Sequence, residues 1–300
     1  MRQRRRQRQR LSLAKVSILI VVVSFILAVL IHIQQSGNND VVDVIAPQQD
    51  NNDQEDNNDY EQSSIVMVAS DSFYNTGYLK LVNRHYYITQ PVNRSHIVTA
   101  HPTVPVRAIY ITIHNTALNA IANLFYEGRY IANFFVTSGY REFDRQEYLY
   151  ANAVDRAYVL PPGHSEHQLG LAADILIPGV GMSEMSGRPE TIWLSENAWR
   201  HGLILRYPRD AIDITGVAYE PWHFRYVGLV HAWYMTSNNL VLEEYLSFLA
   251  ETGGFTTTIN GTVYHVIYQQ PINGQINVPR DLNFTVSSSN RGGYIITASE

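Results

Sequence analysis

Between residues 34 and 64 the chain is dominated by Asn, Asp and Gln, and residues 50–59 read Asp-Asn-Asn-Asp-Gln-Glu-Asp-Asn-Asn-Asp without a break. A segment of this composition cannot bury enough apolar surface to offset the entropy of ordering its backbone. It divides the 300-residue chain into a short N-terminal piece and a remainder, from residue 65 onward, that must hold any folded core. As a tether of about 31 residues it would span roughly 30 Å on average and about 100 Å when drawn out.

The N-terminal piece carries Arg2, Arg4, Arg5, Arg6, Arg8, Arg10 and Lys15 with no acidic residue, and leads into a largely apolar run over residues 16–33. At 1.5 Å per residue, a run of about 18 residues meets the lower limit for a helix crossing a hydrocarbon core of about 30 Å. Because basic flanks stay on the cytoplasmic side, the expectation is a cytoplasmic tail (1–15), a transmembrane signal-anchor (16–33), and a tether (34–64) outside the cell. The expected localisation is the cell membrane, single-pass, with the folded domain extracellular. A cleaved signal peptide is the rival reading, but no small-x-small cleavage site directly follows Ile33. A core helix behind a nucleic-acid-binding tail fits less well, because the run has no polar face.

The net charge of −5 argues against a nucleic-acid partner for the rest of the chain. The hydrophobic fraction of 45% is ordinary for a globular protein. No cysteine is present, which excludes a disulfide framework, a thiolate metal site and a Cys nucleophile. Any metal must be held by His and carboxylates.

From residue 65 the patterning alternates between helix and strand. Leu118, Ile121, Ala122 and Phe125 recur at helical spacing, with Gly128 as a C-terminal stop. Residues 133–137 read as a strand, and Asp144 with Glu147 has capping-box spacing for a helix reaching about Val154. Pro189 and Gly202 bracket a further helix, residues 203–205 form a short strand, and Leu242, Tyr245, Leu246 and Leu249 define a helix ending before Gly253-Gly254. Beyond it the pattern is β: residues 262–268 are β-branched and aromatic, and Asn273-Gly274 marks a hairpin turn within 272–278. This C-terminal segment is expected to complete the sheet of the preceding domain, since an alternating strand needs a partner.

The residues with chemistry cluster in two short stretches. His167 and Asp174 lie in Ser165-Glu166-His167-Gln168-Leu169-Gly170-Leu171-Ala172-Ala173-Asp174, and His223 ends Glu220-Pro221-Trp222-His223. Catalytic zinc takes three ligands from His and carboxylates and leaves a position for water. His167, Asp174 and His223 suit that role, with Glu220 as the spare carboxylate to move protons. Pro221 speaks against a helix interior there, and a His-Glu-x-x-His zinc-binding helix is missing. Asp174, entering Ile175-Leu176-Ile177, is expected at a strand end. Taken singly, each has a plain alternative: a surface or hydrogen-bonded His, or an Asp capping a turn.

Ser-x-His-x-x-Gly-x-Ala-x-Asp followed by Glu-x-Trp-His resembles the VanY-type D-alanyl-D-alanine carboxypeptidases of the M15 peptidase family. The likeness extends through Phe135 to Arg141, Leu205-Arg206-Tyr207-Pro208 and His223-Phe224-Arg225-Tyr226-Val227-Gly228, and covers residues 78–249. It implies an α+β fold with helices packed on a small antiparallel sheet, a zinc peptidase domain over 65–250, and a C-terminal β extension over 251–300. It makes His167, Asp174 and His223 the Zn2+ ligands and Glu220 the general base. Arg141 corresponds to an arginine facing the substrate, suited to a carboxylate or to an oxygen gaining charge; an ion pair with Glu142 or Asp144 is its plain alternative. Gln146 and Ser165 are further candidates for holding a terminal carboxylate. The implied substrate is a peptidoglycan stem peptide, cut as a D,D-carboxypeptidase. L,D-carboxypeptidase, endopeptidase and a non-catalytic wall-binding module are the alternatives. Residues 179–188, rich in Gly, Met and Ser, are expected to be a loop beside the site, and Trp222 a packing residue.

Overall fold

Short strands and amphipathic helices alternate through the first four fifths of the folded chain, and five strands close it. The computed structural model describes residues 65–74, 76–88 and 91–300. The expected tail, anchor and tether lie outside the described residues, among which no helix is long and apolar enough to cross a membrane.

Strand β1 (Ile65–Ala69) comes first, then the antiparallel pair β2 (Ile97–Thr99) and β3 (Thr112–His114), which leads into helix α1 (Asn115–Glu127). The middle of the fold is β4 (Phe135–Ser138), α2 (Phe143–Ala151), β5 (Ala172–Leu176), α3 (Pro189–Asn197), β6 (Leu203–Leu205), the single turn α4 (Ile212–Thr215) and β7 (His223–Tyr226). Helices α5 (Leu229–Asn238) and α6 (Leu242–Thr252) follow. The last strands are β8 (Gly254–Ile259), β9 (Thr262–Gln269), β10 (Gln275–Pro279), β11 (Asn283–Ser288) and β12 (Tyr294–Ser299).

The central sheet has the order β4-β5-β7-β6, with every pair antiparallel. Its core face carries Val136, Ala173, Ile175 and Phe224, packed with Leu118, Ile121, Leu124 and Phe125 of α1. Each of these large side chains, when fully buried, contributes roughly 1.5–3 kcal/mol of transfer free energy. Helix α1 starts where His114 Nδ1 and Asn115 Oδ1 both accept from the Thr116 N–H, at 3.2 and 2.7 Å. It stops at Gly128, as its sequence suggests, and the close packing explains the glycine: a Cβ there would lie 2.6 Å from the Trp193 ring.

Some sequence expectations need correction. Helix α2 ends at Ala151 rather than near Val154, because Asn152 turns its side chain back onto the Tyr148 carbonyl at 2.7 Å and Val154 points into solvent. Its N-terminus has no capping box. It starts at Phe143 behind Glu142, whose carboxylate is occupied by the Tyr140 hydroxyl at 2.9 Å and Arg94 at 3.0 Å. Asp174 sits in the middle of β5, not at its end, and the strand is buried throughout.

The C-terminal segment does not complete the central sheet. It forms its own four-stranded sheet, β11-β12-β9-β8, while β10 pairs with β1. The turn at Asn273-Gly274 forms, with φ of 51° and 72°. It is closed by a single bridge, Ile272 to Gln275, because both edges of β9 are already taken by β8 and β12. Val266 and Ile295 cover α5 and α6, whereas Tyr294 and Ile296 cover the β1 side through Val66 and Val68.

Candidate metal centre

Register places the candidate ligands. Across the central sheet Ser138 pairs with Asp174, and Asp174 pairs with His223, so three polar side chains form one row on the face opposite α1. A bulge between Val136 and Ser138 adjusts β4 to this row. His167 comes from a 3-10 turn (Glu166–Leu169), which ends at Gly170 in the left-handed conformation, φ 72°. A side chain at Gly170 would also be 2.5 Å from Ile97 Cδ1.

His167 Nε2 lies 3.4 Å from Asp174 Oδ2, and His223 Nδ1 lies 3.2 Å from Asp174 Oδ1. The ligand atoms of all three residues lie within 4.8 Å of one another, and all three residues are buried. Tetrahedral zinc with bonds of about 2.0–2.1 Å sets its ligand atoms about 3.3–3.4 Å apart; the two His–Asp separations are close to this, on the two different oxygens of Asp174, so the cluster could hold such an ion. His167 Nδ1 donates to the Gly139 carbonyl at 2.7 Å, which leaves Nε2 unprotonated and directed at the cluster. The three ligands named by the sequence are therefore brought together.

Glu220 and His223 stand at the two ends of a turn, with the His223 N–H on the Glu220 carbonyl at 3.1 Å. This puts Glu220 Oε2 3.5 Å from His223 Nδ1. Burial pushes the Glu220 carboxyl up to about 8, with Asp174 and Glu166 adding to the rise and His223 and Arg141 opposing it. Burial alone would raise Asp174 too, but His167 and His223 overcome it and hold that carboxyl well below the usual range. Burial would lower His223, but its bonds to Asp174 and Glu166 raise it to about 9. Burial and Arg141 lower His167.

Arg141 faces the same cavity, of about 290 Å³, together with Tyr158, Ser165, Met182, Glu220 and Trp222. Its guanidinium donates to Gln146 Oε1 at 2.7 Å and Ser138 Oγ at 3.0 Å, not to Glu142 or Asp144. Gln146 in turn donates to the Leu160 carbonyl at 2.6 Å, so both ends of its amide hold the arginine in place. Met182 brings the expected 179–188 loop to the cavity wall, and half-buried Trp222 packs on the core and beside Tyr158 at 6.3 Å.

Sequence reasoning passed over Glu166, Arg206 and Arg225, which are fully buried and paired behind His223. A usable signal was present: an arginine inside the strand His223-Phe224-Arg225-Tyr226 demands a buried counter-charge.

The family profile named VanY, described as D-alanyl-D-alanine carboxypeptidase, matches residues 111–229, the stretch that contains every residue of this centre. A D-alanyl-D-alanine carboxypeptidase of Enterococcus faecium is 43% identical over 169 residues, 56% of this chain and 54% of that protein. The solved LdcB LD-carboxypeptidase is 33% identical, with a TM-score of 0.51 over 56% of this chain and 84% of its own. The chain belongs to the VanY family. A solved vancomycin-resistance D,D-dipeptidase, VanXYg, in complex with a D-Ala-D-Ala phosphinate analogue is 26% identical, with a TM-score of 0.69 over 79% of this chain and 98% of its own. The chain spans about half the length of the curated relatives it matches.

Gly139 links two parts of this VanY-family centre. Its carbonyl fixes His167, and a Cβ there would lie 2.3 Å from the Thr112 carbonyl oxygen and 2.6 Å from Ile113 Cγ1. Gly139→Ala is expected to destabilise the fold by about 1–3 kcal/mol and to weaken metal binding, because relief of the clash moves the His167 acceptor. Denaturant unfolding and a metal titration check this; an unchanged unfolding midpoint contradicts it.

Proposed function

We propose that this protein is a zinc-dependent D-alanyl-D-alanine carboxypeptidase that removes the terminal D-alanine from peptidoglycan stem peptides outside the cell. The observation that carries the reading is the convergence of His167, Asp174 and His223 beside Glu220, with Arg141 facing the same cavity. Membership of the VanY family supports the peptide substrate. The basic tail, the apolar run at 16–33 and the polar tether support a single-pass anchor that holds the domain near the wall.

His167, Asp174 and His223 would hold the zinc, which when bound supplies Lewis acidity, activating a water and polarising the scissile carbonyl. Glu220 takes the water's proton and delivers it to the departing amine. Burial pushes the Glu220 carboxyl of the metal-free protein up to about 8, and a carboxylate lifted out of the ordinary acidic range is the stronger proton acceptor for the first half of that transfer. Arg141, locked between Gln146 and Ser138, directs its donors at the oxygen that gains charge or at the terminal carboxylate. The buried Ser165 hydroxyl, with Gln146 behind the arginine, completes the carboxylate end of the cavity.

A second reading, L,D-carboxypeptidase, is favoured by the 33% identity to LdcB; endopeptidase cleavage of crosslinks would use the same centre. A non-catalytic wall-binding role has no use for Glu220. The deciding experiment is mass spectrometry of a muropeptide digest containing pentapeptide, tetrapeptide and crosslinked dimer, incubated with the full-length protein. Release of D-alanine from pentapeptide alone is expected. Conversion of tetrapeptide to tripeptide overturns the D,D assignment, and an unchanged profile with zinc bound overturns the enzyme.

A further inference from the structure

Two buried atoms behind the metal centre lack hydrogen-bond partners: Glu166 Oε2 and His223 Nε2. They face each other at 3.7 Å. A water bridging two such groups needs them about 4.5 Å apart, so the gap is too short for water. Each orphan is destabilising while it stays unpaired, and closing the gap between them would satisfy both at once.

We propose that Glu166 is a positioning residue for His223: its Oε2 receives the His223 Nε2–H and thereby keeps Nδ1 unprotonated for the metal. The proposal rests on the reading of His223 as a ligand. The surroundings of Glu166 explain why its carboxylate points this way. Arg206 Nε donates to Oε1 at 2.7 Å, and Arg225 Nη1 approaches the same oxygen to 2.8 Å, off the direction of its N–H. Both cations thus gather on Oε1, and Oε2 is left for the imidazole. They also hold the Glu166 carboxyl well below its usual range against a burial that would raise it.

Each arginine also has acceptors other than Glu166. Arg206 makes a bidentate pair with Glu243 on α6, at 2.9 and 2.8 Å. Arg225 donates to the carbonyls of Tyr226, Tyr78 and Lys80. A largely buried ion network of this kind adds little to stability compared with apolar packing; what it supplies is a fixed carboxylate behind a ring. The 3-10 turn that presents His167 to the cluster therefore also steers His223 from behind, through the residue next in sequence.

The test uses the full-length chain stripped of metal, with zinc affinity read by competition against a chromophoric chelator. Glu166→Gln is expected to weaken zinc binding about 10–100-fold. Glu243→Gln, which loosens Arg206 without touching His223, is expected to lower the melting temperature yet leave zinc affinity within about twofold. A Glu166→Gln protein that melts cooperatively and binds zinc as tightly as the parent overturns the proposal, and so does equal weakening by both variants. Should Glu166→Gln fail to fold, 15N NMR of histidine-labelled, zinc-loaded parent decides: Nε2–H at His223 supports the proposal and Nδ1–H overturns it. A parent that binds no zinc at all overturns the metal reading itself.

Discussion

Glu220→Gln is expected to lower kcat on a stem pentapeptide by about 10²–10⁴-fold, the usual contribution of a positioned general acid–base, while zinc stoichiometry stays at one. The same substitution should stabilise the metal-free fold. Glu220 has an ordinary value of 4.5 and is pushed to about 8 in the folded protein. Between those values the folded state holds a proton that the unfolded state has lost, so stability falls as pH rises through this window. At pH 4 both states are protonated and parent and variant should unfold alike. By pH 8 the variant should be the more stable by a few kcal/mol, each pKa unit counting about 1.4 kcal/mol. Denaturant titrations at the two pH values measure this; identical midpoints at pH 8 would refute the burial argument, and undiminished turnover would refute the role.

Chelation carries the second large effect. Removing zinc is expected to abolish turnover, and the temperature of unfolding of the stripped protein should drop further the higher the pH. His223, with an ordinary value of 6.5, is raised to about 9 by its bonds to Asp174 and Glu166. Its contribution is fully present below 6.5 and is lost as pH rises through about 9, in the same direction as that of Glu220. Asp174 works the other way, stabilising above its ordinary range and losing that effect only in acid. Zinc replaces the proton on His223, so its stabilising shift should grow from pH 6 to pH 9. Calorimetric scans with and without zinc across that range check it; a zinc shift independent of pH would mean that His223 is not the ligand.

The candidate metal cluster was legible because a chain without cysteine leaves only His and carboxylates for a metal, and two spaced signatures supply the needed types, which the fold brings together. The setting of Asp174 was harder to read. Strand β5 is buried on both faces, so its sequence shows an apolar run instead of an alternation, and nothing local marks where its ladder begins. Glu166, Arg206 and Arg225 were passed over because their pairing joins a 3-10 turn to separate strands, and only tertiary structure brings such positions within 3 Å. The C-terminal strands were recognisable from their alternation, but a strand pattern does not name its partner. That β9 takes β8 and β12, and leaves β10 to β1, follows from long-range pairing that period-two patterning does not encode.

The row Ser138–Asp174–His223 exists only because three strands are aligned to the residue. Side chains alternate along a strand, so a slip of β5 by one position would turn Ala173 toward the cavity and drive Asp174 into the apolar layer under α1. An insertion or deletion of a single residue in β5 would thus take the candidate metal site apart while every one of its residue types survived in the gene. A truncated substrate loop could be repaired by a later change nearby, but a miscounted strand could be repaired only by restoring the count.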